Sequence, residues 1–185
     1  MIESERLNFK AVDESDIEWL RESRNANKDN FFDSHEITTE QQKSWYQRYK
    51  ESGVDHMFIV KLKSTGENIG TIAIYDLDIT KRMAILGRVL LLEEFRGKGY
   101  AEEMVKRLVR YAFDTMRLYK LKVEVHYNNI DAIVIYYKSG FKPITKPILM
   151  LERLNENINW DKPLIIESYD NMSKAGYEGQ NSNMI

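Results

Sequence analysis

Along the chain the apolar residues recur at two intervals, and each change of interval marks a new element. RLNFKAV (6–12) alternates as a strand does. Asp13 stands where a cap is needed for DESDIEWLRESRNAN, whose Ile17 and Leu20, with Trp19 nearby, predict a short amphipathic helix. A second helix is predicted near ITTEQQ. There Thr38 or Thr39 is followed three residues later by Gln41 or Gln42, the capping-box spacing, and Trp45, Tyr46 and Tyr49 return at helical intervals. Strand-like runs follow at HMFIVKLK (56–63), NIGTIAIYDL (68–77) and MAILGRVLLL (83–92), the first two joined by a turn at Ser64-Thr65-Gly66-Glu67. The third is almost wholly apolar, which predicts a central strand covered on both faces.

From Ala101 the apolar positions are 101, 104, 105, 108, 109, 112, 113 and 116, a spacing that predicts a helix with Arg107, Arg110 and Asp114 on its outer face. LKVEVHY (121–127) sets Val123 and Val125 against Lys122, Glu124 and His126, as in a strand with two unlike faces. NIDAIVIYYKSGF reads as a helix opened by Asn129 and closed by Gly140, and PILMLER (147–153) as a last strand. These elements imply one domain over 1–155. The polar tail, 156–185, is read as partly ordered or mobile, with Trp160 and PLII (163–166) available for packing.

Composition narrows the chemistry. At 185 residues, 43% hydrophobic and 30% charged, the chain is long enough to bury a substantial core. A formal charge of −2 removes the electrostatic reason to expect nucleic-acid or membrane-surface binding, so any anion site must be local. With no cysteine there is no thiolate nucleophile or disulfide, and the histidines at 35, 56 and 126 share no ligand-like spacing, so no metal site is predicted. No apolar run is long enough to span a bilayer, and the implied compartment is the cytoplasm.

One stretch has the chemistry of an anion site. FRGKGYAEEMV (95–105) places Gly97 and Gly99 between Arg96 and Lys98 at the mouth of a helix, where unpaired amides and the helix dipole favour negative charge. It is neither a dinucleotide fingerprint, because Glu102 stands where the third glycine belongs, nor a P-loop, because Leu92 stands at the first. Glu102 and Glu103, in the first helical turn, would oppose a phosphate unless they point away.

RGKGYA (96–101) resembles the Arg/Gln-x-x-Gly-x-Gly/Ala signature of the GNAT family of N-acetyltransferases, and NIDAIVIYYKSGF is similar to that family's Asn-x-x-Ala-x-x-x-Tyr-x-x-x-Gly-Phe helix. The two motifs are separated by one helix and one strand, as the family arranges them. The resemblance implies an α/β (α+β) fold with a mixed, mainly antiparallel sheet flanked by helices. It also implies direct acetyl transfer from acetyl-coenzyme A to a primary amine. Backbone groups of Val89, Leu90 and Leu91 would then hold the pantetheine arm and help polarise the thioester carbonyl. Arg96, Gly97, Lys98, Gly99, Tyr100, Ala101 and Glu102 would hold the pyrophosphate, with Asn129 also on the cofactor. Tyr136 would protonate the departing thiolate, its phenol taken at an ordinary pKa near 10. Glu124 would take the amine proton, with His126 as the competing base.

In this family the segment after the first strand sets the acceptor, so Arg24, Phe32, His35 and Trp45 are read as substrate contacts, His126 with them. Rings beside polar groups suit a nucleobase and a sugar, and the Arg-Asn run with Ile-Thr-x-Glu-Gln resembles amino-sugar nucleotide acetyltransferases. The alternatives are a protein N-terminus, as in ribosomal-protein acetyltransferases, a polyamine or antibiotic, or a non-catalytic acetyl-coenzyme A sensor. A homodimer is compatible with the chain.

Overall fold

Side-chain caps start the first two helices. Asp13 accepts from Ser15 N at 2.9 Å while Asp16 accepts from Asp13 N at 2.9 Å, so a 3-10 turn leads into α1 (Ile17–Ala26). Of the two threonines it is Thr38 that caps α2 (Thr39–Ser52). Its hydroxyl accepts from Gln41 N at 3.3 Å, and the Gln41 side chain accepts from Thr38 N at 2.8 Å. The computed structural model describes residues 2–31, 33–143 and 164–169.

The alternating runs become β1 (Ile2–Glu3), β2 (Leu7–Ala11), β3 (His56–Leu62), β4 (Asn68–Asp78), β5 (Met83–Leu91), β6 (Lys120–Val125), β7 (Lys142–Pro143) and β8 (Leu164–Tyr169). Among the described residues they form one sheet in the order β1-β2-β3-β4-β5-β6-β8-β7, antiparallel except between β5 and β6. The mixed, mainly antiparallel sheet expected from the sequence is therefore present. At the 64–67 turn Gly66, at φ 77, donates its N–H to Leu62 O at 2.8 Å and closes the β3–β4 hairpin.

Helices cover both faces. On one, Met104, Val105 and Leu108 of α3 (Tyr100–Arg110) and Tyr136 of α4 (Ile130–Lys138) pack with Leu7, Ile72, Leu86 and Leu121. On the other, Ile17 and Leu20 of α1 and Tyr46 of α2 pack with Met57, Ile59 and Ala73. The long apolar periodicity from Ala101 is interrupted in one respect. Residues Tyr111–Thr115 form a π turn, with Met116 N bonded to Tyr111 O at 3.1 Å, so α3 ends at Arg110 and one wider turn follows.

Two expectations change. β5 is central but is not covered evenly. Ala84, Leu86 and Leu90 are buried, whereas Gly87, Arg88 and Val89 are only half-buried, because the strand has a cavity on one side. The strand expected at 147–153 lies outside the described residues. Residues 164–169, read from sequence as part of the tail, instead form a strand that pairs antiparallel with β6 from Lys120↔Tyr169 to Val125↔Leu164. Hydrogen-bonding the outer edge of β6 is the physical reason this segment belongs to the sheet and not to solvent.

Candidate active site

The parallel ladder between β5 and β6 ends early. Ile85 pairs with Lys122, and beyond that point β5 runs on to Leu91 and β6 to Val125 with no pairing between them. A cavity of about 640 Å³ occupies the gap. It is lined at one end by Val89, Leu90, Ala101, Asn129 and Tyr136, and at the other by Arg24, His35 and Trp45, with Glu124 and His126 on the β6 wall. The structure thus collects residues from both proposed halves of the site around one volume. Leu91, Arg96, Gly97, Lys98, Gly99, Tyr100 and Glu102 do not line it, and Phe32 lies outside the described residues.

The glycine turn fits a phosphate ligand. Gly97 and Gly99 have φ 74 and 79, left-handed conformations that a Cβ would strain, and a Cβ on Gly97 would meet nothing within 4 Å. The first amide of α3 with a backbone acceptor is that of Glu103, on Gly99 O at 3.2 Å. The N–H groups of residues 97–102 have no such acceptor among the described residues, which is the donor array an anion needs. The two glutamates are turned aside. Glu102 binds Lys106 at 2.6 Å and Lys138 at 3.4 Å, while Glu103 accepts from Ser4 Oγ, Arg6 N and Arg6 Nε at 2.7–2.8 Å. Neighbouring cations hold both carboxyls below the ordinary glutamate range: Lys106 leads for Glu102, and for Glu103 the bonds from Arg6 and Ser4 outweigh burial. Arg96 and Lys98 stay exposed at the mouth, bonded to Leu91 O at 3.3 Å and Glu94 O at 2.9 Å.

Arg6 was not foreseen. From the chain preceding β2 it donates to Lys98 O at 3.0 Å, lies 4.5 Å from the centre of the Tyr100 ring and is bonded to Glu103, so it braces the loop from outside. No local sequence pattern points to it, because its partners are about a hundred residues away.

Tyr136 is 6% exposed and packs edge-on against Phe141 with ring centres 5.7 Å apart. Burial pushes its phenol well above the ordinary value, so the expectation of an unperturbed pKa is corrected: the proton is held more firmly than in water. Asn129 accepts from Ala132 N at 3.2 Å as the cap of α4, which leaves its Nδ2 group able to donate. Glu124 is exposed on β6.

At the other end of the cavity, Arg24 donates to His35 O at 2.8 Å and to Asp33 O, and Asn25 exchanges two 2.9 Å bonds with the backbone of Ile37. The Arg-Asn pair therefore staples the loop before α2, and only what remains of Arg24 can meet a ligand. His35 is almost fully exposed and paired with Asp33 at 2.8 Å. Trp45 stacks on Tyr49 with centres 5.1 Å apart. A second unforeseen residue, Arg88, enters the same wall, bound to Asp55 at 2.7 Å and lying over the Tyr75 ring at 4.5 Å. An arginine inside an otherwise apolar strand was its signal, since a charge there requires a partner. Among the described residues no cluster of His, Asp or Glu could hold a metal, and no helix is long and apolar enough to cross a membrane.

Residues 6–142 match the Acetyltransferase (GNAT) domain. The chain belongs to the GNAT acetyltransferase family. Among curated GNAT relatives, the spermidine N(1)-acetyltransferase of Escherichia coli K12 is 30% identical over 96 residues, 52% of this chain and 50% of that protein. The match thus spans about half the length of that relative. The Vibrio cholerae spermidine N(1)-acetyltransferase is 22% identical over 138 residues, 74% of this chain and 79% of that one. Among solved structures, the Vibrio cholerae enzyme in complex with CoA and spermine superposes with a TM-score of 0.71 at 20% identity, covering 77% of this chain and 84% of the other. A nucleotide-linked sugar GNAT superposes with a TM-score of 0.72 at 20% identity, covering 91% and 89%. Both establish the GNAT fold.

Proposed function

We propose that this GNAT protein transfers an acetyl group from acetyl-coenzyme A directly to a primary amine of a small molecule. The observation that carries the reading is the single cavity that opens where β5 and β6 part and extends from the start of α3 to the rings of α2. Residues 97–102 would hold the pyrophosphate through their amides, and the pantetheine arm would run along Val89, Leu90 and Leu91. Glu124 would take a proton from the incoming ammonium, directly or through water, so that the free amine can attack the thioester carbon. Sulfur leaves with the bonding pair. The Tyr136 hydroxyl faces that charge as a donor, and because burial raises its pKa it acts by hydrogen bonding more than by surrendering its proton.

For the acceptor, one reading is an amino-sugar nucleotide. Arg24, Arg48 and Arg88 line the cavity together with Trp45 and Tyr75, groups suited to a diphosphate and a base. A polyamine is the second reading, supported by Asp33, Glu36 and Glu124 in the same lining and by the relatives named above. Asp33 and Glu36 are already paired with His35 and Lys28, just as Arg88 is with Asp55 and Arg24 with the backbone of Asp33 and His35, so pairing does not separate the two readings.

The test is release of free thiol from acetyl-coenzyme A in the presence of amino-sugar nucleotides, spermidine, spermine or N-terminal peptides. Turnover with the sugar nucleotides alone supports the first reading, and turnover with polyamines alone replaces it with the second. Acetyl-coenzyme A binding without turnover on any amine, and with Tyr136→Phe unchanged in output, would mark a sensor instead.

A further inference from the structure

The middle of β5 contains a bulge whose geometry is controlled from the acceptor side. Thr71 of β4 faces Leu90 and Ala73 faces Gly87, so Ile72 alone is opposed by two residues, Arg88 and Val89. Arg88 has φ 50 there, a left-handed backbone that a residue with a Cβ keeps only when its surroundings over-determine it. Two restraints do so. The hydroxyl of Thr71, a residue 4% exposed, donates to the Arg88 carbonyl at 2.8 Å. The guanidinium is fixed by both carboxylate oxygens of Asp55 at 2.7 Å and lies 4.5 Å from the Tyr75 ring centre and 5.9 Å from that of Trp45. Gly87 makes room for this arrangement, since a Cβ on it would lie 3.0 Å from the Tyr75 ring.

The peptide joining Arg88 to Val89 is trans, so its C=O and N–H point in opposite directions. With the carbonyl drawn toward the Thr71 hydroxyl, the N–H of Val89 points away from that hydroxyl. The resemblance already gives the backbone of residues 89–91 the role of polarising the thioester carbonyl; we infer that Thr71 and Arg88 are the positioning residues that turn the Val89 N–H into the gap left by β6 and aim it at the carbonyl oxygen of acetyl-coenzyme A.

This rests on the acetyl-transfer reading above. As the amine nitrogen bonds to the carbonyl carbon, the π pair moves onto oxygen, where a fixed N–H stabilises it. Return of that pair breaks the carbon–sulfur bond, and the nitrogen's second proton passes, directly or through water, to the departing sulfur beside the Tyr136 donor, Glu124 having taken the first from the ammonium. Because Asp55 lies between α2 and β3 and Trp45 lies on α2, the acceptor wall and the aim of the donor are one mechanical unit.

The experiment is difference infrared spectroscopy of carbonyl-13C-labelled acetyl-coenzyme A bound to the full chain, alongside kcat, KM and cofactor affinity. The wild-type protein should move the carbonyl band to lower frequency than in free acetyl-coenzyme A. Thr71→Val should return the band toward the free value and lower kcat about tenfold with cofactor Kd unchanged, and Thr71→Ser should restore both. Arg88→Ala should behave like Thr71→Val, and Arg88→Gly, which accepts positive φ freely, should recover part of the shift. If the band and kcat are unchanged in Thr71→Val and Arg88→Ala, the inference is overturned. Should those variants fail to fold, Asp55→Asn carries the same test, and an unchanged band there overturns it equally. If acetyl-coenzyme A does not bind the wild-type protein at all, the acetyl-transfer reading itself falls.

Discussion

The two ends of the cavity are built from different materials. The end proposed for the donor opens at Ala101 onto one contiguous stretch, residues 97–102, whose chemistry is backbone N–H and two left-handed glycines. The acceptor end is assembled from side chains on α1, α2, β4 and β5, with Arg24, Trp45, Tyr75 and Arg88 drawn from distant parts of the chain. Backbone chemistry demands particular residues at particular spacing and so leaves a motif. Side-chain walls can be made in many ways and leave none.

The sharpest test of that division is at the point where the ends meet. Tyr136→Phe should lower kcat about a hundredfold while acetyl-coenzyme A affinity, measured by calorimetry, stays the same, because in the proposed mechanism only the departing sulfur uses the hydroxyl. Gly97→Ala or Gly99→Ala should weaken acetyl-coenzyme A binding about tenfold through strain at positive φ and a methyl group at the mouth, with acceptor KM unmoved. Trp45→Ala should do the reverse, raising acceptor KM about fivefold and sparing cofactor affinity. An acceptor-wall change that altered cofactor binding as strongly as a glycine change would break the comparison.

The smallest effect lies outside the cavity and calibrates the rest. The bond from Lys10, then that from Ser15, hold the Asp13 carboxyl at about 2, below its ordinary 3.8. A depressed folded value means that its stabilisation is present above the ordinary pKa and is lost as pH falls from about 4 through about 2. Asp13→Asn, which keeps a capping acceptor, should therefore show a smaller fall in Tm between pH 5 and pH 2 than the wild-type chain. Kinetics at neutral pH should not change.

What could be read in the sequence followed the same division. The glycine turn, the apolar stripe of α3 and the Asn129 cap were legible because each is a local pattern with a local cause. Arg6 and Thr71 were not, since a bond from Arg6 to Lys98 or from Thr71 to Arg88 exists only once the sheet has formed. Glu102 and Glu103 raised an objection that the fold answers with Lys106, Lys138, Ser4 and Arg6. The strand at Leu164–Tyr169 was missed for another reason: a segment bordered by polar residues looks like a tail unless the vacant edge it fills is known.

That strand also constrains how the molecule is made. β8 lies between β6 and β7, and among the described residues β7 pairs with β8 alone. During synthesis from the N-terminus, the outer edge of β6 therefore lacks this strand partner until residues 164–169 have left the ribosome. An open strand edge on a half-made chain invites pairing with another such chain, so this topology is most vulnerable to aggregation at the nascent stage and not after folding.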